Sequence, residues 1–380
     1  MRILFVDDEP RVLEGLERSF FSGPDDWEIA TAVGGAAALR ELEEEPFDVI
    51  VTDMRMPGMS GVELLQQVYS RYPTTVRIVL SGQADRDAIL SVLPIAHRFL
   101  AKPCPVARIA SVIEETATLR HLLCSPGLCE LVGRIRTLPS VPKVYRELSV
   151  ALEDERSGAR EVAAIVQRDP AITARILQVA SSAFFGATSV ALDPEQAVVR
   201  LGTDMVRAIT LAAGMFAESP PDDVAGISLA ALQQEALAVA EIAHALAPAG
   251  QLRARAFTAA LLSDVGLLVL LCEAPVALAA IRARSGNARE QAAAERAELG
   301  ATHAEVGAYL LGMWGLPGEV VDAVAHYLEP STGSARATVG AREVLHVAMA
   351  IHQGFEPDLA YLEGLGAHDL VKAWHERRTS

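Results

Sequence analysis

The first 120 residues constrain this 380-residue chain most, because short, almost unbroken apolar runs alternate there with amphipathic stretches. Ile3 to Val6, Trp27 to Ala32, Phe47 to Thr52, Val76 to Leu80 and Arg98 to Ala101 read as strands. Runs without polar alternation suit parallel strands covered on both faces. Between them, Pro10 to Phe21, Ala36 to Glu45, Gly61 to Arg71, Asp85 to Leu93 and Pro105 to Leu119 carry Leu, Val and Ile at helical spacing. Five such units predict an α/β doubly wound, parallel five-stranded sheet with helices on both faces.

Four of the five strands end in a side chain that chemistry can use: Asp7 and Asp8 after the first, Asp53 after the third, Ser81 after the fourth and Lys102 after the fifth. Open α/β sheets gather ligand sites at the carboxyl ends of their strands, so these groups are expected in one crevice. Three neighbouring carboxylates repel unless a cation neutralises them, and all-oxygen ligation with room for water is the preference of Mg²⁺. Each residue alone has a plainer reading. Asp7 or Asp8 could cap the helix entered at Pro10, Lys102 could be a solvated cation, and Phe99 could be ordinary edge packing.

The ordered set Asp7-Asp8, Asp53-Met54-Arg55-Met56-Pro57-Gly58-Met59-Ser60-Gly61, Ser81-Gly82 and Lys102-Pro103 resembles the flavodoxin-like receiver domain of two-component response regulators over essentially all of residues 1–120. The resemblance implies that Asp53 accepts a phosphoryl group from a phosphohistidine on a sensor histidine kinase or phosphotransfer protein. It implies Mg²⁺ on Asp8, Asp53 and the backbone carbonyl of Arg55, with Asp7 assisting. Lys102 would pair with the phosphoryl oxygens, Ser81 would donate a hydrogen bond to them, and Phe99 would be the aromatic ring whose rotamer follows Ser81.

Beyond the breaker cluster Ser125-Pro126-Gly127 the pattern is wholly helical, and no second sheet is expected. Helices are predicted at Leu128 to Thr137, Lys143 to Leu152, Ala159 to Arg168, Ala171 to Ser181, Pro194 to Leu201, Thr203 to Ala217 and Ile227 to Ala247. More follow at Arg253 to Leu271, Pro275 to Arg284, Ala288 to Leu299, Thr302 to Met313, Gly318 to Tyr327, Ala337 to His352 and Leu359 to Glu376. Within this region, Leu138-Pro139-Ser140-Val141-Pro142, Arg168-Asp169-Pro170-Ala171, Ala197-Val198-Val199-Arg200-Leu201-Gly202, Ser263-Asp264-Val265-Gly266, His303-Ala304-Glu305-Val306-Gly307 and Trp314-Gly315-Leu316-Pro317 resemble the HDOD domain, a helical relative of the HD metal-dependent phosphohydrolases. The expected division is a receiver at 1–122, a linker at 123–128, an all-α HDOD output domain at 129–330, and C-terminal helices packing on it at 331–380.

The hydrolases hold two cations with an early histidine, a His-Asp pair and later histidines. Here Ser263 stands where the pair's histidine would be, Gln233, Gln234 and Glu235 where the early one would be, and Leu267 where a lysine is common. Asp264, His303 and His326 remain, with Tyr327 following. The expectation is a degenerate site without transition metal, and a non-catalytic output that works by protein contact with a downstream signalling protein, with homodimerisation as an option. The alternatives are a metal-dependent cyclic-dinucleotide phosphodiesterase and a nucleotide-sensing HD-like pocket.

Composition narrows the partners. The net charge is -16, and acid exceeds base both before residue 120 (19 to 12) and after it (30 to 21), so neither half attracts duplex DNA or an anionic membrane. No CxxC spacing, signal region or uninterrupted transmembrane run is present, which fits a cytoplasmic bacterial response regulator. Lysine is scarce, at Lys102, Lys143 and Lys372 only.

Overall fold

A computed structural model describes residues 1–20, 27–82, 86–120, 126–135, 138, 142–153, 157–182, 193–212, 223–224, 227–333 and 335–378. Its first part alternates β1 (Arg2–Asp7), α1 (Pro10–Phe20), β2 (Glu28–Val33), α2 (Gly35–Glu44), β3 (Val49–Asp53), α3 (Gly61–Arg71), β4 (Val76–Ser81), α4 (Arg86–Val92), β5 (Arg98–Ala101) and α5 (Val106–Arg120). The strands lie in the order β2-β1-β3-β4-β5, and every pairing is parallel. Ile3, Leu4, Phe5, Ile50, Val51, Ile78 and Val79 are buried, which is why the central strands read as continuous apolar runs. A reciprocal capping box between Ser60 and Glu63 starts α3 immediately after the loop that leaves Asp53.

The rest is helical: α6 (Pro126–Gly133), α7 (Pro142–Glu153), α8 (Ala159–Val166), α9 (Pro170–Ala180), α10 (Pro194–Leu201) and α11 (Thr203–Ala212). A two-residue hairpin, β6 (Asp223–Val224) with β7 (Ile227–Ser228), precedes α12 (Leu229–Leu246). Then come α13 (Gln251–Leu261), α14 (Val265–Glu273), α15 (Pro275–Arg284), α16 (Ala288–Leu299), α17 (His303–Met313), α18 (Gly318–His326), α19 (Ala341–Gln353), α20 (Leu359–Gly364) and α21 (His368–Arg378). α19 packs against α12, α13 and α18, and its residues Ala341 to Ala350 are all buried.

Several expectations are corrected. The helix predicted from Arg253 to Leu271 is two helices, α13 and α14, joined by a turn at Leu262–Asp264 that no proline or glycine announces. The last predicted helix also divides, at Gly366, whose φ of 74° is left-handed. Residues Ile227 and Ser228 belong to the small hairpin rather than to the helix predicted there. α6 begins at Pro126, inside the expected linker. Phe21, Asp85, residues 123–125 and residues 213–217 lie outside the described residues. Among the described residues, one helical stretch, Gln251–Glu273, is long and apolar enough to cross a membrane, and 78% of its most apolar window is buried within the protein.

Candidate functional site

Because β1 lies between β2 and β3, the chain reverses its winding there, and the crevice at this switch point is lined by the residues that follow the two strands. Val6 pairs with Thr52, so Asp7 and Asp53 emerge side by side. Carboxylate oxygens of Asp7, Asp8 and Asp53 lie within 4.8 Å of one another, the only such group of three potential metal ligands among the described residues. Lys102 Nζ is 2.9 Å from Asp7 Oδ2 and 3.1 Å from Asp53 Oδ1. Burial would lower the Lys102 ammonium, but its hydrogen bonds and charge pairing with Asp7 and Asp53 hold it above its ordinary value, so it stays cationic. Three carboxylates and one ammonium leave two negative charges in an all-oxygen donor set, which fits a hard divalent cation such as Mg²⁺.

Local backbone bonds fix these groups. Met54 N–H donates to Asp53 Oδ1 at 2.8 Å, and Glu9 N–H donates to Asp7 Oδ1 at 3.0 Å. A Cβ on Gly61 would overlap the Asp53 carbonyl oxygen, so only glycine lets α3 start this close to the acceptor. Ser81 is fully buried at the end of β4, and its Oγ has no hydrogen-bond partner among the described residues. An unpaired buried hydroxyl is costly, and here it ends the strand next to β3, beside the acidic crevice. Arg55 is exposed in the loop between Asp53 and α3, and Phe99 is buried on β5.

The sequence-expected site in the helical half is assembled differently. A Cβ on Gly266 would overlap the His303 carbonyl, so α14 and α17 approach closely and bring Asp264 toward His303. Tyr327 stands between them, with its hydroxyl 3.0 Å from His303 Nε2 and 3.3 Å from Asp264 Oδ1. His303 Nδ1 is 2.6 Å from Glu295 Oε2, which also accepts from the His303 backbone N–H at 2.7 Å. Ser263 Oγ donates to the Ala260 carbonyl at 2.9 Å. His326 is not in this group: its Nδ1 lies 3.4 Å from Thr332 Oγ1, and its side chain lines a cleft against the receiver. Gln233, near the expected early histidine, donates to Asp169 Oδ2 at 2.6 Å. Between Asp169, Gln233 and Asp264 the cavity measures only about 10 Å³, at the lower limit for one water.

The protons in this chain of bonds can be assigned from its electrostatics. Burial would lower the His303 imidazole, but the Glu295 charge and hydrogen bond raise it above the ordinary 6.5. Burial would raise Glu295, but His303 brings it below 4.5, while Asp264 is pushed above 3.8 chiefly by burial. The consistent pattern is His303⁺ donating to Glu295 and to the Tyr327 oxygen, with Tyr327 donating to Asp264. A raised histidine contributes stability fully below 6.5 and loses it as pH rises through the folded-state value. Thermal unfolding should therefore show lower stability on raising the pH above 6.5, and Glu295→Gln should flatten that slope. An unchanged slope in the variant would contradict the assignment.

Sequence reasoning missed a third cluster, the receiver–helix junction. Arg175 on α9 donates to the Leu93 carbonyl at 3.1 Å and lies 4.0 Å over the Trp314 ring. Gln178 donates to the carbonyls of His97 and Ala96, Arg98 to the Gly312 carbonyl at 2.7 Å, and Arg77 to the Gly133 carbonyl at 2.8 Å. Burial lowers Arg77 and Arg175 to about 9 and Arg98 to about 10, so all three remain cations near neutrality. Phe99 borders a cavity of about 20 Å³ at this junction, together with Gln178 and Trp314.

A family model for the response regulator receiver domain matches residues 3–114, and one for the HDOD domain matches residues 138–330. The hydrogenase transcriptional regulatory protein HoxA of Cupriavidus necator is 36% identical over 122 residues, 32% of this chain and 25% of that protein. The response regulator protein PilR of Pseudomonas aeruginosa is 34% identical over 121 residues, 32% of this chain and 27% of that protein. The chain thus spans about a quarter of the length of these curated relatives. Among solved structures, the MmoQ response regulator from Methylococcus capsulatus is 24% identical with a TM-score of 0.49, covering 57% of this chain and 86% of that one. A parallel sheet with the acidic crevice, followed by a helical half that the HDOD model matches over half the chain, makes this protein a member of the HDOD family with an N-terminal receiver domain.

Proposed function

We propose that the protein is a response regulator of a two-component phosphorelay whose Asp53 accepts a phosphoryl group and whose HDOD domain is a non-catalytic output. The observation that carries the first half is the crevice itself. Asp53 Oδ1 is held by Met54 N–H and Lys102, which leaves Oδ2, without a hydrogen bond among the described residues, to attack phosphorus. A bond forms from Oδ2 to phosphorus as the phosphorus–nitrogen bond of the donor phosphohistidine breaks, and the departing imidazole nitrogen keeps the electron pair and takes up a proton. Lys102 neutralises the transferred oxygens, and the unpaired Ser81 hydroxyl is available to donate to one of them. Mg²⁺ held by Asp8, Asp53 and the Arg55 carbonyl, with Asp7 assisting, would supply further charge neutralisation for the loose transition state.

The Tyr327 hydroxyl between His303 and Asp264 supports the non-catalytic output, because the donors a transition metal would need are spent on one another. The 10 Å³ cavity beside Asp264 also argues against a nucleotide there. The output then works by protein contact in the cytoplasm, toward a downstream signalling partner. Metal analysis of purified full-length protein should find zinc, iron and manganese well below one equivalent per chain, with no hydrolysis of a cyclic dinucleotide. One bound equivalent that is lost in His303→Ala, together with hydrolysis, would make the protein a phosphodiesterase instead.

A further inference from the structure

A cleft of about 470 Å³ runs between the receiver helix α5 and the HDOD helices α17 and α18, well within the size range of small-molecule sites. One wall is apolar, built from Leu119, Leu316, Val321 and Ala325. Opposite stand Arg98 and Arg108, with Ser181 at the edge shared with the smaller cavity beside Phe99. Arg98 Nε and Ser181 Oγ are buried, and neither has a hydrogen-bond partner among the described residues. Both can donate, so what they lack is an acceptor.

The charge balance favours an acceptor that is anionic. Glu115 is shared between the two arginines, at 3.2 Å from Arg98 and 3.7 Å from Arg108. The other carboxylate of the cleft, Asp322, is bound by both Arg336 and Arg342. Arg98 and Arg108 of the lining therefore share Glu115, while Asp322 is already paired from outside the cleft by Arg336 and Arg342. Guanidinium groups beside apolar surface, here the buried Arg98 and the exposed Arg108, recognise planar or tetrahedral oxyanions by charge-assisted hydrogen bonds.

We propose that this cleft binds a small organic oxyanion, with a phosphoryl or carboxylate head on Arg98, Arg108 and Ser181 and an apolar body against Leu119, Leu316 and Val321. Since its walls come from both domains, the ligand holds the junction closed. The proposal does not depend on phosphorylation of Asp53 or on the state of the HD-like site.

Calorimetry on the full chain without Mg²⁺ tests it, with phenyl phosphate, benzoate, inorganic phosphate and phenol as probes. At least one aromatic anion should bind about tenfold more tightly than both phosphate and phenol, as expected if the charged and the apolar contacts each contribute. Comparing phenyl phosphate with benzoate tells which head group is preferred. Arg108→Glu, at a partly exposed position, and Thr118→Trp, which fills the cleft from α5, should each weaken that binding by about tenfold or more. The inference is overturned if neither aromatic anion binds, if they bind no tighter than phosphate, or if either variant with the parent's helix content binds as the parent does. The two variants alter different walls, so a folding failure of one leaves the other decisive.

Discussion

Asp53→Ala is expected to abolish covalent phosphorylation by acetyl phosphate or by a cognate kinase, while Lys102→Ala slows it by about 10²–10³-fold. The asymmetry follows from what each group does. On the proposed mechanism Asp53 supplies the oxygen that becomes bonded to phosphorus, and no other carboxylate among the described residues takes that position at the end of β3. Asp7 is buried, with one oxygen accepting from Glu9 N–H and the other from Lys102. Lys102 contributes charge alone, so its loss raises the barrier without removing the reaction. Ser81→Ala should leave phosphorylation measurable, because its hydroxyl supplies one hydrogen bond. Intact-protein mass spectrometry separates these outcomes. A phosphorylated D53A chain would place the acceptor elsewhere.

Glu295→Ala is expected to destabilise the helical half by about 3 kcal/mol, the lower end for breaking a buried charged pair, since His303 can partly escape by releasing its proton. Glu295 is fully buried and accepts from the His303 backbone, the His303 ring and Gln291, so alanine leaves three donors without a partner. At about 2–4 °C per kcal/mol for a domain of this size, the midpoint should fall by roughly 6–12 °C. Tyr327→Phe should cost less, about 1–3 kcal/mol, by leaving His303 Nε2 and Asp264 short of one bridging hydroxyl. Calorimetric scans of the two variants check the order, and a Glu295→Ala midpoint equal to the parent's would show that the network carries no stability.

The receiver was legible in the sequence because strand ends are local. Asp7, Asp53, Ser81 and Lys102 each directly end or follow an apolar run, and parallel pairing brings such positions to one edge. The buried site of the helical half was half legible. Asp264 and His303 were picked out and do share a network, whereas His326 points to the interdomain cleft and Tyr327, its neighbour, occupies the interior. One residue on a helix end rotates the side chain by roughly 100°, and sequence alone does not set that phase. Glu295 carried no signal, since it lies in a helix rich in charge, and only the packing of α16 on α17 buries it.

The junction was the least legible part, for a physical reason. Arg77, Arg98 and Arg175 each donate to a backbone carbonyl far away in the chain, and carbonyls have no sequence identity. Three buried cations, with Glu115 paired to Arg98, make a contact that is costly to desolvate and so open to displacement. Phosphorylation of Asp53 would add about two negative charges at the crevice. Ser81 and Phe99 would then connect that crevice to the junction, because Ser81 ends β4 opposite Ala101 and Phe99, two residues earlier on β5 opposite Val79, lies at the edge of the 20 Å³ cavity.

Small-angle scattering of the full chain with and without Mg²⁺ and beryllofluoride, a phosphoryl mimic for Asp53, tests this coupling most directly. A changed profile is expected with the mimic, from reorientation of the two domains or self-association, and no change in D53A. Superimposable profiles, with occupancy of the crevice verified by fluorine NMR, would contradict it.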